Sequence, residues 1–163
     1  MVHALVLLGA MLTKEGSFLS GLSSAGTYRE DMFQRDLQVI QLTYLDRGYI
    51  NVKIGKPSVD LSADRRFLFV AIPVEEGEQY RVGRTSFSGK TLGEDARLPT
   101  LVKSKGGEVF SSSQVRADLQ AVADVYRDRG YANANVVPMT QVDAKTRIID
   151  VEYEIQPGGL VRF

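Results

Sequence analysis

The sequence predicts an α+β fold made of two tandem units, each with the element order β-α-α-β-β. Three observations support this prediction. The motif Tyr-x-Asp-Arg-Gly-Tyr occurs twice, at 44–49 and 126–131, a shift of 82 residues. The segments before it have the apolar spacing of amphipathic helices. The segments after it alternate apolar and polar residues, as half-buried strands do.

A helix is predicted before each copy of the motif. Thr27 and Glu30 would form a capping box for the first helix, and 111–113 is a run of serines that offers an N-cap for the second. Gly48 and Gly130 lie where each helix should end in a left-handed residue, which glycine adopts without a Cβ penalty. The apolar positions of the two helices correspond one to one: Phe33, Leu37, Ile40 and Tyr44 in the first, and Val115, Leu119, Val122 and Tyr126 in the second.

Two strands are predicted after each helix. The first strand of each pair is expected over Ile50–Val59 and Ala132–Val142. The second strands share a core face at an offset of 81: Leu68, Val70, Ile72 and Val74 in one copy, and Ile149, Val151, Tyr153 and Ile155 in the other. Between the copies, Tyr80–Gly89 predicts a strand, and Leu92–Lys103 predicts a short helix that Pro99 interrupts.

The repeat predicts domains at 1–78 and 79–163, with the start of a following repeat at 160–163. The opening run MVHALVLLGAML is too short to cross a bilayer, which needs about 20 residues, and it lacks the basic flank of a signal peptide. We interpret it as the first helix of a domain without an obvious first strand. The first domain is therefore expected to be truncated at its N-terminus.

Composition excludes several classes of function. The 20 basic and 20 acidic residues balance, which argues against a nucleic-acid-binding face. With no cysteine and one histidine, the chain has no thiol chemistry and no histidine pair for a metal or a catalytic triad. The glutamates near the strand ends form no enclosed pocket in this pattern, and the glycine-rich stretches lack a nucleotide-binding signature. We expect no enzyme, no metal and no cofactor.

The residues resemble a known family. The β-α-α-β-β unit, the DLQ…Y-x-DRGY helix end, the V-x-EG-x-x-Y-x-V-G junction and the F-S-G strand end are similar to POTRA domains, the polypeptide-transport-associated repeats. The similarity covers nearly the whole chain and is closest to the BamA-type outer-membrane protein assembly factors of Gram-negative bacteria. The stretch Met11–Gln38, with its long loop between two predicted helices, resembles the third repeat of that family, and the second copy, with its short loop KSKGGEVF, resembles the fourth.

The resemblance implies two three-stranded mixed sheets, each covered by two helices, in a periplasmic scaffold. Such a scaffold would be attached to the outer membrane through a C-terminal barrel. No segment of this sequence resembles that barrel. Its implied partners are unfolded outer-membrane protein precursors and the lipoproteins of the assembly complex. An open sheet edge can bind an extended peptide as an added strand. The candidate residues for this are Ile50, Asn51, Val52, Lys53, Ile54, Ala132, Asn133, Ala134, Asn135 and Val136.

Other interpretations stay open at this stage. Phe18, Leu19 and Leu22 could form a partner surface or pack onto their own domain. The chain could instead come from a two-partner secretion transporter or a TamA-like translocation factor. It could also be a structural repeat that only spaces other domains.

Overall fold

The computed structural model describes residues 3–11, 30–61, 63 and 67–160. It divides into two compact units. The first unit contains Met1–Tyr44 and Asn51–Gly77, and the second contains Leu45–Ile50 and Glu78–Phe163. Thr27 of the predicted capping box and the last three residues of the predicted following repeat lie outside the described residues.

The first unit has one described helix and a sheet built on a single central strand. Its elements are β1 (His3–Met11), α1 (Glu30–Leu45), β2 (Lys53–Ile54), β3 (Ser58–Leu61) and β4 (Phe67–Glu75). Strand β4 pairs with β1 on one side and with β2 and β3 on the other. All of these pairings are antiparallel.

The prediction of a helix at the N-terminus is wrong. His3–Met11 forms β1, which pairs with β4 along its whole length, from His3 opposite Glu75 to Met11 opposite Phe67. A short continuous apolar run has no periodicity that separates a helix from a strand. His3–Met11 is a strand because it pairs with β4, which is distant in sequence.

Proline accounts for the break between β2 and β3. Gly55 N–H donates to the Pro73 carbonyl oxygen at 2.8 Å, so the polar groups of Pro73 face this edge of β4. Pro73 has no N–H to return a second bond, and a proline inside a sheet is normally found beside such an irregularity. The strand accordingly stops at Ile54 and resumes at Ser58.

The second unit has the mixed sheet that the family resemblance implies. Its elements are β5 (Arg81–Gly89), α2 (Leu98–Leu101), α3 (Ser112–Arg127), β6 (Asn135–Asp143) and β7 (Ile148–Gln156). The strand order is β5-β7-β6, with β5 parallel and β6 antiparallel to β7. Pro99 does not interrupt α2. It lies in the first turn of that helix, where its missing N–H costs nothing.

The core of the second unit lies between the helices and one face of β7. Ile149, Val151, Tyr153 and Ile155 are buried and alternate with half-buried or exposed neighbours, as predicted. The Tyr153 ring stacks on Phe87 with the ring centroids 5.5 Å apart. From α3, Val122 and Tyr126 are fully buried against this face, which the helical spacing also predicted.

The internal repeat is preserved in the backbone. Helices α1 and α3 each have 16 residues, and both their first and last residues are related by the same 82-residue shift. Strands β4 and β7 are related by 81 residues at both ends. Gly48 and Gly130 have φ of 82° and 91°, which confirms the predicted left-handed helix stops.

The first Tyr-x-Asp-Arg-Gly-Tyr motif contributes to the second unit. Gly48 accepts a hydrogen bond from Tyr80 N–H at 2.8 Å. The Asp46 carboxylate accepts one from Ser113 N–H at 2.7 Å and one from the Ser111 hydroxyl at 3.2 Å, at the start of α3. Burial raises the pKa of Asp46, but these hydrogen bonds outweigh burial and lower its pKa overall. Asp46, which belongs to the second unit, therefore supplies acceptors to the start of α3 within that unit.

A buried carboxylate ties α3 to the loop after α2. Asp118 is 1% exposed and accepts hydrogen bonds from the backbone N–H groups of Lys103 and Ser104, at 2.9 and 2.8 Å. Gln114 Nε2 and the Tyr153 hydroxyl also donate to it. Burial raises the pKa of Asp118, and the backbone and side-chain donors together more than reverse this, so its pKa is below the usual 3.8.

We expect Gly48→Ala to destabilise the second unit more than Gly93→Ala. Both glycines have positive φ, 82° and 84°, so each alanine costs about 1–2 kcal/mol of backbone strain. A Cβ on Gly48 would also lie 2.6 Å from the Tyr80 carbonyl oxygen, whereas a Cβ on Gly93 would meet nothing within 4 Å. Urea unfolding of the two variants measures the difference, and equal losses would contradict this packing.

Asp118→Asn should lower the free energy of unfolding at neutral pH by about 2–4 kcal/mol, because it removes the charge and turns an NH2 group toward one of the two buried backbone N–H groups. The pKa of Asp118 is depressed in the folded state, so the carboxylate stabilises the protein above its unfolded pKa. This stabilisation is lost as the pH falls through the folded value. The gap between wild type and Asp118→Asn should therefore close as the pH falls below the usual aspartate pKa of 3.8. An unchanged gap would exclude this role, and exposed Asp128→Asn is the control.

Candidate strand-addition edge

Strand β6 forms one edge of the sheet in the second unit. Within the part of the chain that the structure describes, it pairs only with β7, in an unbroken register from Asn135 opposite Gln156 to Asp143 opposite Ile148. The side chains of β6 are exposed over most of its length, and Val142 is 52% exposed.

The hydrogen bonding of β7 determines which groups of β6 face outward. Lys90 N–H donates to the Ile155 carbonyl oxygen at 3.0 Å, so the polar groups of Ile155 face β5. Backbone groups alternate along a strand, and those of Glu152 and Glu154 therefore face β6. Their partners Met139 and Val137 use their own N–H and C=O groups inward. The intervening β6 residues direct theirs to the open edge: Val136, Pro138, Thr140 and Val142.

Pro138 divides this edge. Its nitrogen has no hydrogen, so a proline fits a strand where the N–H would face solvent. The outward N–H groups of Thr140 and Val142 lie on one side of it, and that of Val136 lies on the other. Thr140–Asp143 is thus the longer continuous stretch with outward donors.

The opposite edge is covered at its start. Val82 N–H donates to the Glu108 carbonyl oxygen, and Gly107 N–H donates to the Val82 carbonyl oxygen, both at 2.8 Å. Phe110 N–H bonds to the Tyr80 carbonyl oxygen at 3.1 Å. Because 105–110 occupies the first part of β5, an added strand has a longer free backbone on β6.

The edge formed by β2 and β3 in the first unit is shorter. Lys53 and Ile54 pair with Glu75 and Val74, and the Lys53 Nζ lies 3.9 Å from Glu75. The gap after Ile54 separates this pair from β3. Such a broken edge offers few successive donors to another chain.

The structure moves several of the predicted binding residues out of strands. Ile50, Asn51 and Val52 precede β2, and Ile50 packs against the core of the second unit. Ala132, Asn133 and Ala134 precede β6, and Ala134 N–H donates to the Tyr131 carbonyl oxygen at 2.9 Å. Both strands begin later than expected because a turn follows each left-handed glycine. The predicted residues that do lie in strands are Lys53, Ile54, Asn135 and Val136.

Thr140 and Val142 are candidate residues that sequence reasoning did not single out. The alternation of the strand gave no information on which backbone groups were already bonded. Pro138 was the available signal, since a proline in a strand marks the residues of its own parity as outward-facing. The predicted partner surface at Phe18, Leu19 and Leu22 lies outside the described residues.

No helix among the described residues has both the length and the apolar character needed to span a membrane.

The family model of POTRA, described as the surface antigen variable number repeat, matches residues 2–77 and 80–158. The chain belongs to the POTRA family. Two matches to one domain family thus account for almost the whole sequence, and they correspond to the two copies that the repeated motif indicated.

Curated relatives and solved structures agree with this assignment. The outer membrane protein assembly factor BamA of Nitratidesulfovibrio vulgaris is 31% identical over 149 residues, which is 89% of this chain and 18% of the relative. BamA of Neisseria meningitidis is 26% identical over 93% of this chain and 19% of its own length. The crystal structure of Haemophilus influenzae BamA POTRA3-5 matches with a TM-score of 0.65 and 26% identity, over 82% of this chain and 53% of that one. The chain therefore spans about a fifth of the length of these curated relatives.

Native-state hydrogen exchange tests the assignment of the edge. Thr140 and Val142 should exchange at least tenfold faster than Met139 and Gln141, since only the latter pair donates to β7. NMR measurement of the individual amides would give an alternating pattern along β6. Uniform protection would show that the outward groups are already bonded.

Proposed function

We propose that this chain is part of a periplasmic, non-catalytic scaffold that binds unfolded outer-membrane protein precursors by adding an extended strand to β6. The observation that carries the proposal is the row of outward backbone groups at Thr140 and Val142. Main-chain groups recognise any extended peptide, so one edge can accept many client sequences.

The family context supports the class of client. The relatives are named as outer membrane protein assembly factors. Precursors of such membrane proteins are rich in strands that alternate apolar and polar residues. An unfolded strand of that kind has main-chain N–H and C=O groups that can pair with the outward groups of β6. The lipoproteins of an assembly complex are the second class of partner that we propose.

The position of Pro138 is consistent with a controlled edge. Long uninterrupted edges promote aggregation, and prolines are one way in which proteins prevent it. Here Pro138 shortens the run of donors without removing the half at Thr140–Asp143. The edge can hold a short segment while opposing indefinite growth of the sheet.

Replacing Thr140 by proline tests the proposal. The Thr140→Pro variant removes one outward donor and no bond to β7, so the domain should fold while affinity for a peptide falls at least fivefold, about 1 kcal/mol. Thr140→Ala keeps the N–H and should bind as wild type does. The probe is a ten-residue peptide of alternating apolar and polar residues, titrated into the labelled full chain by NMR.

Wild-type amides at Thr140–Asp143 should shift first in this titration, and the spectrum of α3 should show that both variants are folded. Equal affinities of wild type and Thr140→Pro would rule out strand addition at β6. A complete lack of binding by the wild-type chain would favour a purely structural spacer.

A further inference from the structure

We infer that the strand added to β6 carries a basic side chain on the outer face of the sheet, where it passes over Met139 and reaches Glu152. This inference rests on the proposed function and specifies its client: an extended segment with Lys or Arg at the position opposite Met139.

The outer face of the sheet contains a shallow concavity of about 450 Å³ beside β6. Its outer-face side chains come from all three strands: Arg84, Ser86, Met139, Gln141, Asp150 and Glu152. Met139 is 50% exposed at the edge nearest to an incoming strand. The row across the sheet at this level is Ser86, Glu152 and Met139, in that order. A residue of an added strand opposite Met139 would be the fourth member of the row.

Acidic side chains outnumber basic ones in the lining of this concavity. Arg84 is engaged with Asp150, whose carboxylate accepts the Arg84 backbone N–H at 2.6 Å and lies 3.9 Å from the Arg84 guanidinium. Among the described residues, no basic side chain forms an ion pair with Glu152 or its neighbour Glu154. Glu152 therefore leaves a negative charge in the concavity that a client can neutralise.

The dimensions suit a long basic side chain. Neighbouring strands are separated by about 4.8 Å, so the added residue and Glu152 are roughly 10 Å apart at their backbones. The stems of Lys and Arg pack along apolar surface while their charged ends stay in polar surroundings. The unbranched thioether of Met139 is an adaptable surface for such a stem. An acidic side chain at the same position would be repelled.

The decisive experiment compares three peptides that differ at this one position, with Lys, norleucine or Glu, on the full chain. Wild type should bind the Lys peptide about three- to fivefold more tightly than the norleucine peptide, the size of an exposed ion pair. It should bind the Glu peptide most weakly. Glu152→Gln should abolish the preference for Lys over norleucine while leaving the norleucine affinity unchanged. Raising the salt concentration should reduce the preference in wild type.

Glu108→Gln is the matched control. Glu108 is exposed on the covered side of β5, and the bond from Val82 uses its main-chain oxygen, which the substitution leaves in place. This variant should retain the wild-type order of the three peptides. A Lys preference that survives in Glu152→Gln, or one that disappears in Glu108→Gln as well, would overturn the inference. Those results leave strand addition intact, because the proposed function fails only if Thr140→Pro binds as wild type does or if no peptide binds.

Discussion

The fold of the second unit depends on β7, the central strand of its three-stranded sheet, which both pairs with two strands and forms part of the core. Strand β7 supplies hydrogen bonds to both neighbours, and one of its faces supplies four buried core side chains: Ile149, Val151, Tyr153 and Ile155. Tyr153 combines the two, since its ring packs in the core while its hydroxyl reaches Asp118. A small domain buries little surface, so each core position contributes a large share of its stability. Few positions of β7 can therefore change between an apolar and a polar residue.

Because β7 is central, the two other strands of the sheet lie at its edges. One partner of β7 is covered at its start by a loop, while the other remains an edge. The Asp118 carboxylate holds the α2–α3 loop by its backbone, so the loop is fixed by a charge rather than by apolar burial. Covering one side and leaving the other open gives the unit a single preferred direction in which its sheet can grow.

Most of the fold could be predicted because the chain repeats itself. Two copies of one pattern confirm each other, and positions such as Val122 and Tyr126 were recognisable as core from spacing alone. The N-terminal strand could not be predicted in this way, since His3–Met11 is apolar throughout and its structure depends on pairing with β4. The start of β6 was also missed, because the turn after Gly130 uses three residues that alternate as a strand would. The outward direction of Thr140 follows from the pairing of β7, where the Ile155 carbonyl oxygen accepts from Lys90 N–H directly after β5, and no local pattern encodes it.

The two copies share core positions but differ on the outer faces of their sheets. Phe69 is 41% exposed on β4, whereas the corresponding position of β7 is Asp150, which binds Arg84. The divided edge at Pro138 adds a kinetic consequence. Two outward donors contribute only about 1–3 kcal/mol in total, less than the cost of bringing two molecules together. A segment added to β6 as proposed would therefore be held briefly and released without assistance. Lasting retention of a client would come from avidity, with several weak sites along a tandem array engaging one chain at once.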